Sequence, residues 1–159
     1  MTDKRIIDQF ISKYHLGGNI ERVKWVSDGE SLKADFINDS QNLVGKVVSK
    51  KFKFPIGEFG IYSTSTLSKM LGILENEVIF EVVTENKTPA RFNIGDTGKD
   101  IKFTLEDHKV IPNVPNISKT EGNIEVELTE EFTTRFIKSK DAVGEEVFYV
   151  STQDGFTSP

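Results

Sequence analysis

The chain has 159 residues, 36% of them hydrophobic and 28% charged, enough apolar side chain for one ordinary core and too much for a chain disordered throughout. It has no cysteine, which excludes disulfides and thiolate chemistry, and its two histidines, His15 and His108, stand far apart with no ligand spacing, so no metal site is expected. A net charge of −5 speaks against a nucleic-acid partner only if the charge is spread evenly, and neither a membrane-length apolar run nor a secretion signal is visible, so a cytoplasmic protein is expected.

Residues 3–16 place Ile6, Ile7, Phe10, Ile11 and Tyr14 on one helical stripe, which Gly17 and Gly18 end. Residues 19–26 alternate Ile20, Val23 and Trp25 with polar positions and predict a strand, followed by a turn at Ser27, Asp28 and Gly29. Further strands are expected over 31–37 and 43–54. A second helix is expected over 64–74, with Leu67, Met70, Leu71 and Leu74 on one face and a capping Ser/Thr cluster, residues 63–66, in front. Strands resume over 78–84, 90–94 and 100–105, with turns at Asn86-Lys87 and over 95–98. Residues 108–123 hold Pro112 and Pro115 and read as an extended connector.

The tail from Val126 onward reads as a strand, an amphipathic helix over 129–140, a strand and a turn. Thr129 is a good N-cap, Glu130 and Glu131 suit the first turn and Lys138 and Lys140 the last, while Phe132, Phe136 and Ile137 form the apolar face. The three helices recur at similar intervals, each with strands behind it. That is a repeat of pattern without a repeat of sequence: two helix-plus-strands units before the connector and one after it.

Catalytic signatures are absent from the sequence. GDTGKD, residues 95–100, has two residues between its glycines where a phosphate-binding loop needs four, and an aspartate where that loop needs Ser or Thr, so it reads as a hairpin turn. Asp35, Asp39, Glu58 and Glu81 lack a diagnostic acid–base spacing, and no serine or threonine has a histidine near it in sequence in a recognisable arrangement. The expectation is a protein that is not an enzyme and needs no cofactor.

FGIYSTSTLSKMLGIL, residues 59–74, followed by strands, a proline-bearing connector and IEVELTEEFTTRFIKSKD, resembles the DNA polymerase sliding clamp of T-even-type bacteriophages, in order along the whole chain. The resemblance implies an α+β DNA-clamp fold of repeated half-domains, each one helix packed on antiparallel strands. Residues 1–110 would be a first domain of two half-domains, 111–123 the interdomain connector and 124–159 the first half of a second domain. Three chains of that family close head to tail around duplex DNA and hold the replicative polymerase, with a clamp loader as a further partner. A full clamp chain has a fourth half-domain, so this chain is expected to be cut short, and to be a monomer or a dimer that does not close a ring.

In such rings the helices line the hole. The three helices here sum to +3 and leave −8 for the rest, the balance that sequence-independent DNA contact asks for. Lys4, Arg5, Lys13, Lys69, Arg135, Lys138 and Lys140 are the candidate DNA-facing residues. Lys46, Lys50, Lys51 and Lys53 alternate with other residues and read as a solvated strand face. Clamps also take partner peptides near the connector, where Val110, Ile111, Val114 and Ile117 either line such a pocket or pin the connector onto the sheet. The alternative for the whole chain is a non-catalytic virion assembly or interaction protein of a phage.

Overall fold

Asp3 shows how tightly the first turn of the chain is specified. It ends a two-residue strand, β1 (Thr2–Asp3), and its carboxylate then caps helix α1 (Lys4–His15) by accepting from the Arg5 amide at 2.9 Å. The computed structural model describes residues 1–116, 121–122, 124–149, 151–153 and 156–158, the last two groups as backbone only. The chain divides into two compact units, Met1–Pro115 and Asn116–Pro159.

The first unit is one pattern used twice. Its first half is β1, α1, β2 (Val23–Ser27), β3 (Ser31–Ile37) and β4 (Val44–Lys50); its second is β5 (Gly57–Ile61), α2 (Thr64–Leu71), β6 (Glu77–Glu85), β7 (Thr88–Gly95) and β8 (Asp100–Thr104). Each half folds its last three strands into an antiparallel meander, and each meander gains a fourth strand from the other half. The sheets run β4-β3-β2-β5 and β1-β6-β7-β8, so the halves exchange their first strands. The exchange makes each sheet depend on both halves.

Alternation decides which side chains fill the space between sheets and helices. Val23, Trp25, Leu32, Ala34 and Phe36 point inward from β2 and β3, and Val78, Phe80, Phe92, Ile94 and Phe103 from the second sheet. Ile7, Phe10, Ile11 and Tyr14 of α1 and Leu67 and Leu71 of α2 close the same core. Phe54 is its hub, with ring centroids of Phe52, Phe59, Phe80, Phe92 and Trp25 between 5.0 and 6.0 Å away.

Several expectations need correction. The strand expected from Asn19 begins at Val23, and the one expected to reach Phe54 ends at Lys50, because Lys51 adopts φ 57° and turns Phe52 and Phe54 into the core. Strand β1 replaces the start expected for the first helix. Strand β5 was hidden by its glycines, of which Gly60 is dictated by packing: a Cβ there would lie 2.2 Å from the carbonyl oxygen of Glu106. The turn over 95–98 is as expected, with the Asp96 carboxylate accepting from the amides of Glu75, Gly98 and Lys99. Those amides, Glu75 first, hold that carboxyl below its ordinary range.

In the second unit, α3 (Glu130–Val143) starts at Thr129, whose hydroxyl accepts from the Phe132 amide at 3.1 Å, and ends at Gly144 with φ 72°. Phe136 stacks on Phe132 and meets Phe148 edge-on at 5.1 Å. Strands β9 (Ser151–Gln153) and β10 (Phe156–Ser158) form an antiparallel hairpin. The strand expected just before the helix is not formed: residues 124–128 pair with no strand among the described residues.

Candidate nucleic-acid interface and partner cleft

Helices α1 and α2 lie side by side and antiparallel, because the end of each is tied to the start of the other. At one end the Tyr14 hydroxyl meets Thr64 Oγ1 at 3.0 Å and His15 Nε2 meets Ser65 Oγ at 3.2 Å; at the other, the Lys4 ammonium donates to the Leu74 carbonyl at 2.9 Å. Trp25 Nε1 donates to the Tyr14 hydroxyl, whose ionisation is pushed up chiefly by burial. The link is thus a neutral hydrogen-bonded chain inside the core.

Glu21 organises the start of α2. Its carboxylate accepts from the Ser65 amide at 2.9 Å, from Ser63 and Ser65 hydroxyls, and lies 2.8 Å from His15 Nε2. Burial opposes its charge, but the Ser65 and His15 hydrogen bonds outweigh that and bring its pKa down to about 2. Serine, histidine and glutamate together invite comparison with a hydrolase triad. The geometry refuses it, since serine and glutamate share one ring nitrogen and the serine donates to the glutamate directly, leaving no relay through the ring. The cluster caps a helix.

The candidate cations fall into two groups. Lys4 is committed to Leu74, and Arg5 is held by both carboxylate oxygens of Asp3. Lys13 and Lys69 are exposed and make no ion pair among the described residues. Nine residues separate Lys4 from Lys13, about half a turn of helical offset, so they occupy opposite flanks of α1, with Lys4 on the flank that faces α2. Lys69 stands about 200° from Leu67 and from Leu71, at the middle of the outer face of α2. In the second unit Arg135 pairs with Glu131 at 3.7 Å and Lys140 with Asp141 at 3.8 Å, while Lys138 has no ion pair among the described residues.

The connector begins as a strap on the first unit. Arg22 grips Glu106 through Nε at 3.1 Å and Nη2 at 2.7 Å, Glu106 also pairs its amide with the Gly60 carbonyl, and a 3-10 turn at His108–Val110 follows. His108 Nε2 lies 3.0 Å from Glu58, which also approaches Lys24 at 3.6 Å. Ile111 is buried, Val110 is exposed and Val114 half-buried; Ile117 lies outside the described residues. Beyond Ile111 the strap roofs a cleft of about 490 Å³ reaching Tyr62 and Ile37, and a second of about 310 Å³ floored by Lys24, Lys33 and Lys46. Of those three lysines the sequence reading named only Lys46, on a solvated strand face; it missed Lys24 and Lys33, although alternation along β2 and β3 places them on the face away from the core.

Two β-α-β-β-β halves that exchange first strands under a pair of antiparallel helices make this the DNA-clamp fold, of class α+β. The chain is similar to the solved structure of the DNA polymerase III subunit beta from Pseudomonas aeruginosa, with a TM-score of 0.50 and 17% identity. The match covers 72% of this chain and 31% of that one. No protein-family model and no curated protein sequence matches the chain.

Proposed function

We propose that this chain serves as a sliding-clamp processivity factor of the T-even phage type, encircling duplex DNA without reading its sequence and tethering a DNA polymerase. The observation that carries the reading is the strand exchange between two halves beneath paired helices, the fold it has in common with a polymerase beta subunit. Lys13 and Lys69, free of ion pairs among the described residues, supply the first unit's outward positive charge on those helices; Lys138 is its counterpart on α3. Contacts of this kind to phosphates hold DNA weakly and lose strength with salt, which suits a protein that must slide. In this reading a full-length chain forms a homotrimeric ring, a clamp loader opens it, the strap's clefts take partner peptides, and the site is the cytoplasm of an infected bacterium. The chain carries no catalysis of its own.

Titrating a fluorescent duplex with the whole chain at rising salt tests the DNA face. We expect weak binding indifferent to sequence, and a salt slope reduced by about 2 in the Lys13→Glu, Lys69→Glu double variant, at about 0.9 per phosphate contact. An unchanged slope, or no binding at low salt, sinks the reading.

A further inference from the structure

The two clefts under the strap carry opposite charge. The larger is lined by three carboxylates, Glu21, Asp35 and Asp39, against one arginine, Arg22; the smaller, of about 310 Å³, is lined by three lysines against one carboxylate, Asp35. That excess of ammonium groups sits on a chain whose net charge is −5, so overall composition does not account for it. Strand register draws the three lysines into a compact triangle. Lys24 and Lys46 stand opposite Asp35 from its two sides, two strand spacings or about 10 Å apart. Lys33 is two residues from Asp35 on the same face of β3, and so diagonal to both, at about 7–8 Å. Their own ion pairs hold them loosely. Lys24 lies 3.6 Å from Glu58 and Lys46 3.7 Å from Asp35, on solvent-facing side chains where such pairs contribute little, and Lys33 has none among the described residues. The strap adds no charge: Pro112, Asn113 and Val114 line the cleft, and the Asn113 and Val114 amides bond no backbone carbonyl among the described residues.

We propose that this cleft binds a compact polyanion of the condensed-phosphate class, a triphosphate group, between the lysine triangle and the strap. Lysine meets phosphate as a point charge on a flexible stem, so three of them can converge on one group. An acidic peptide suits the arrangement less. Its carboxylates recur along an extended chain about every 7 Å on one face and ask for cations in a line, whereas these lysines come from three neighbouring strands around one point. Asp35 opposes the ligand and lowers its affinity, while the strap amides are donors for phosphate oxygens. The ligand thereby joins strap to sheet. The inference does not rest on the clamp reading; it gives the smaller cleft a small anion where that reading has a peptide.

Calorimetric titration of the whole chain at low salt with inorganic tripolyphosphate is the test. Saturable one-to-one binding is expected, weakened about tenfold by Lys33→Gln, which removes one charged donor from an exposed position. Asp35→Asn should tighten it, and Lys102→Gln, on the other sheet, should leave it unchanged. Binding that does not saturate, or that falls as much in Lys102→Gln as in Lys33→Gln, is diffuse attraction and overturns the inference. So does a polyglutamate peptide that binds more tightly than tripolyphosphate. ATP separates the sources of the group: tighter binding of ATP supports a nucleoside triphosphate, and the reverse order supports a free condensed phosphate. Hydrogen exchange locates the ligand, since slowing at Asn113 and Val114 supports the cleft and unchanged exchange there overturns it.

Discussion

Helices α1 and α3 are built alike, each capped by an oxygen side chain, each with aromatic residues four apart and cations toward its C-terminus, yet they meet opposite fates. Helix α1 buries Ile7, Phe10, Ile11 and Tyr14, while none of the described side chains of α3 is buried. The difference lies in the strands. Around α1 and α2 each half supplies three strands and borrows a fourth, and the apolar face of each helix closes a core that both halves have built. In the second unit the described strands form one short hairpin, and Phe132, Phe136 and Phe148 make only a small aromatic cluster. An amphipathic stripe therefore marks where a helix will form, and the number of strands available beneath it decides how much stability it gains.

The largest expected effect breaks that contrast at its hub. Phe54→Ala removes a ring that touches five other aromatics and should cost the first unit about 4 kcal/mol, read by urea unfolding. Phe136→Ala, in a helix without buried residues, should leave that transition within about 0.5 kcal/mol of the parent. If the two variants lose similar amounts, the units share a core and the contrast is wrong.

A smaller effect sharpens it at the join between the halves. Gly60 lets β5 approach Glu106 so closely that the two backbones bond, and Arg22 locks Glu106 from the side. Gly60→Val should cost about 2 kcal/mol by overpacking and loosen the strap over 106–111. Gly98→Ala, where an added Cβ meets nothing within 4 Å, is the control and should be close to neutral. Equal effects at both glycines would mean that Gly60 answers to local conformation and not to the contact.

These same residues show what could be read without coordinates. The helices announced themselves through stripes such as Leu67 and Leu71, and β3 matched its alternation from Ser31 to Ile37. The strand exchange did not, because β1 is two residues long and β5 carries Gly57 and Gly60, so neither has enough period-two pattern to register. The site divides similarly. Lys69 could be placed by spacing alone, since two residues from a buried leucine is the far side of a helix. The capture of Lys4 by the Leu74 carbonyl, 70 residues away, follows only from the antiparallel pairing of the helices. Ser65 and Glu21 likewise meet across 44 residues, a link no local pattern carries.

That link supplies the smallest expected effect and a test of how firmly α1 and α2 are joined. Glu21 has its pKa brought from 4.5 down to about 2 in the folded chain, so the folded state favours its charged form. A depressed carboxylate contributes stability that is fully present above its unfolded pKa and is lost as pH falls through the folded value. The window is therefore pH 4.5 down to about 2, with stability decreasing on acidification. Asp28 and Asp96, lowered mainly by backbone amides, act in the same direction from exposed turns. Because the Glu21 side chain is 37% exposed, solvent screening keeps its share modest. Glu21→Gln keeps the shape and removes the titration, so its unfolding midpoint should change less with pH across that window than the parent's. A variant as steep as the parent would place the acid sensitivity in the turn aspartates and leave the helix pair held by the Tyr14–Thr64, His15–Ser65 and Lys4–Leu74 contacts.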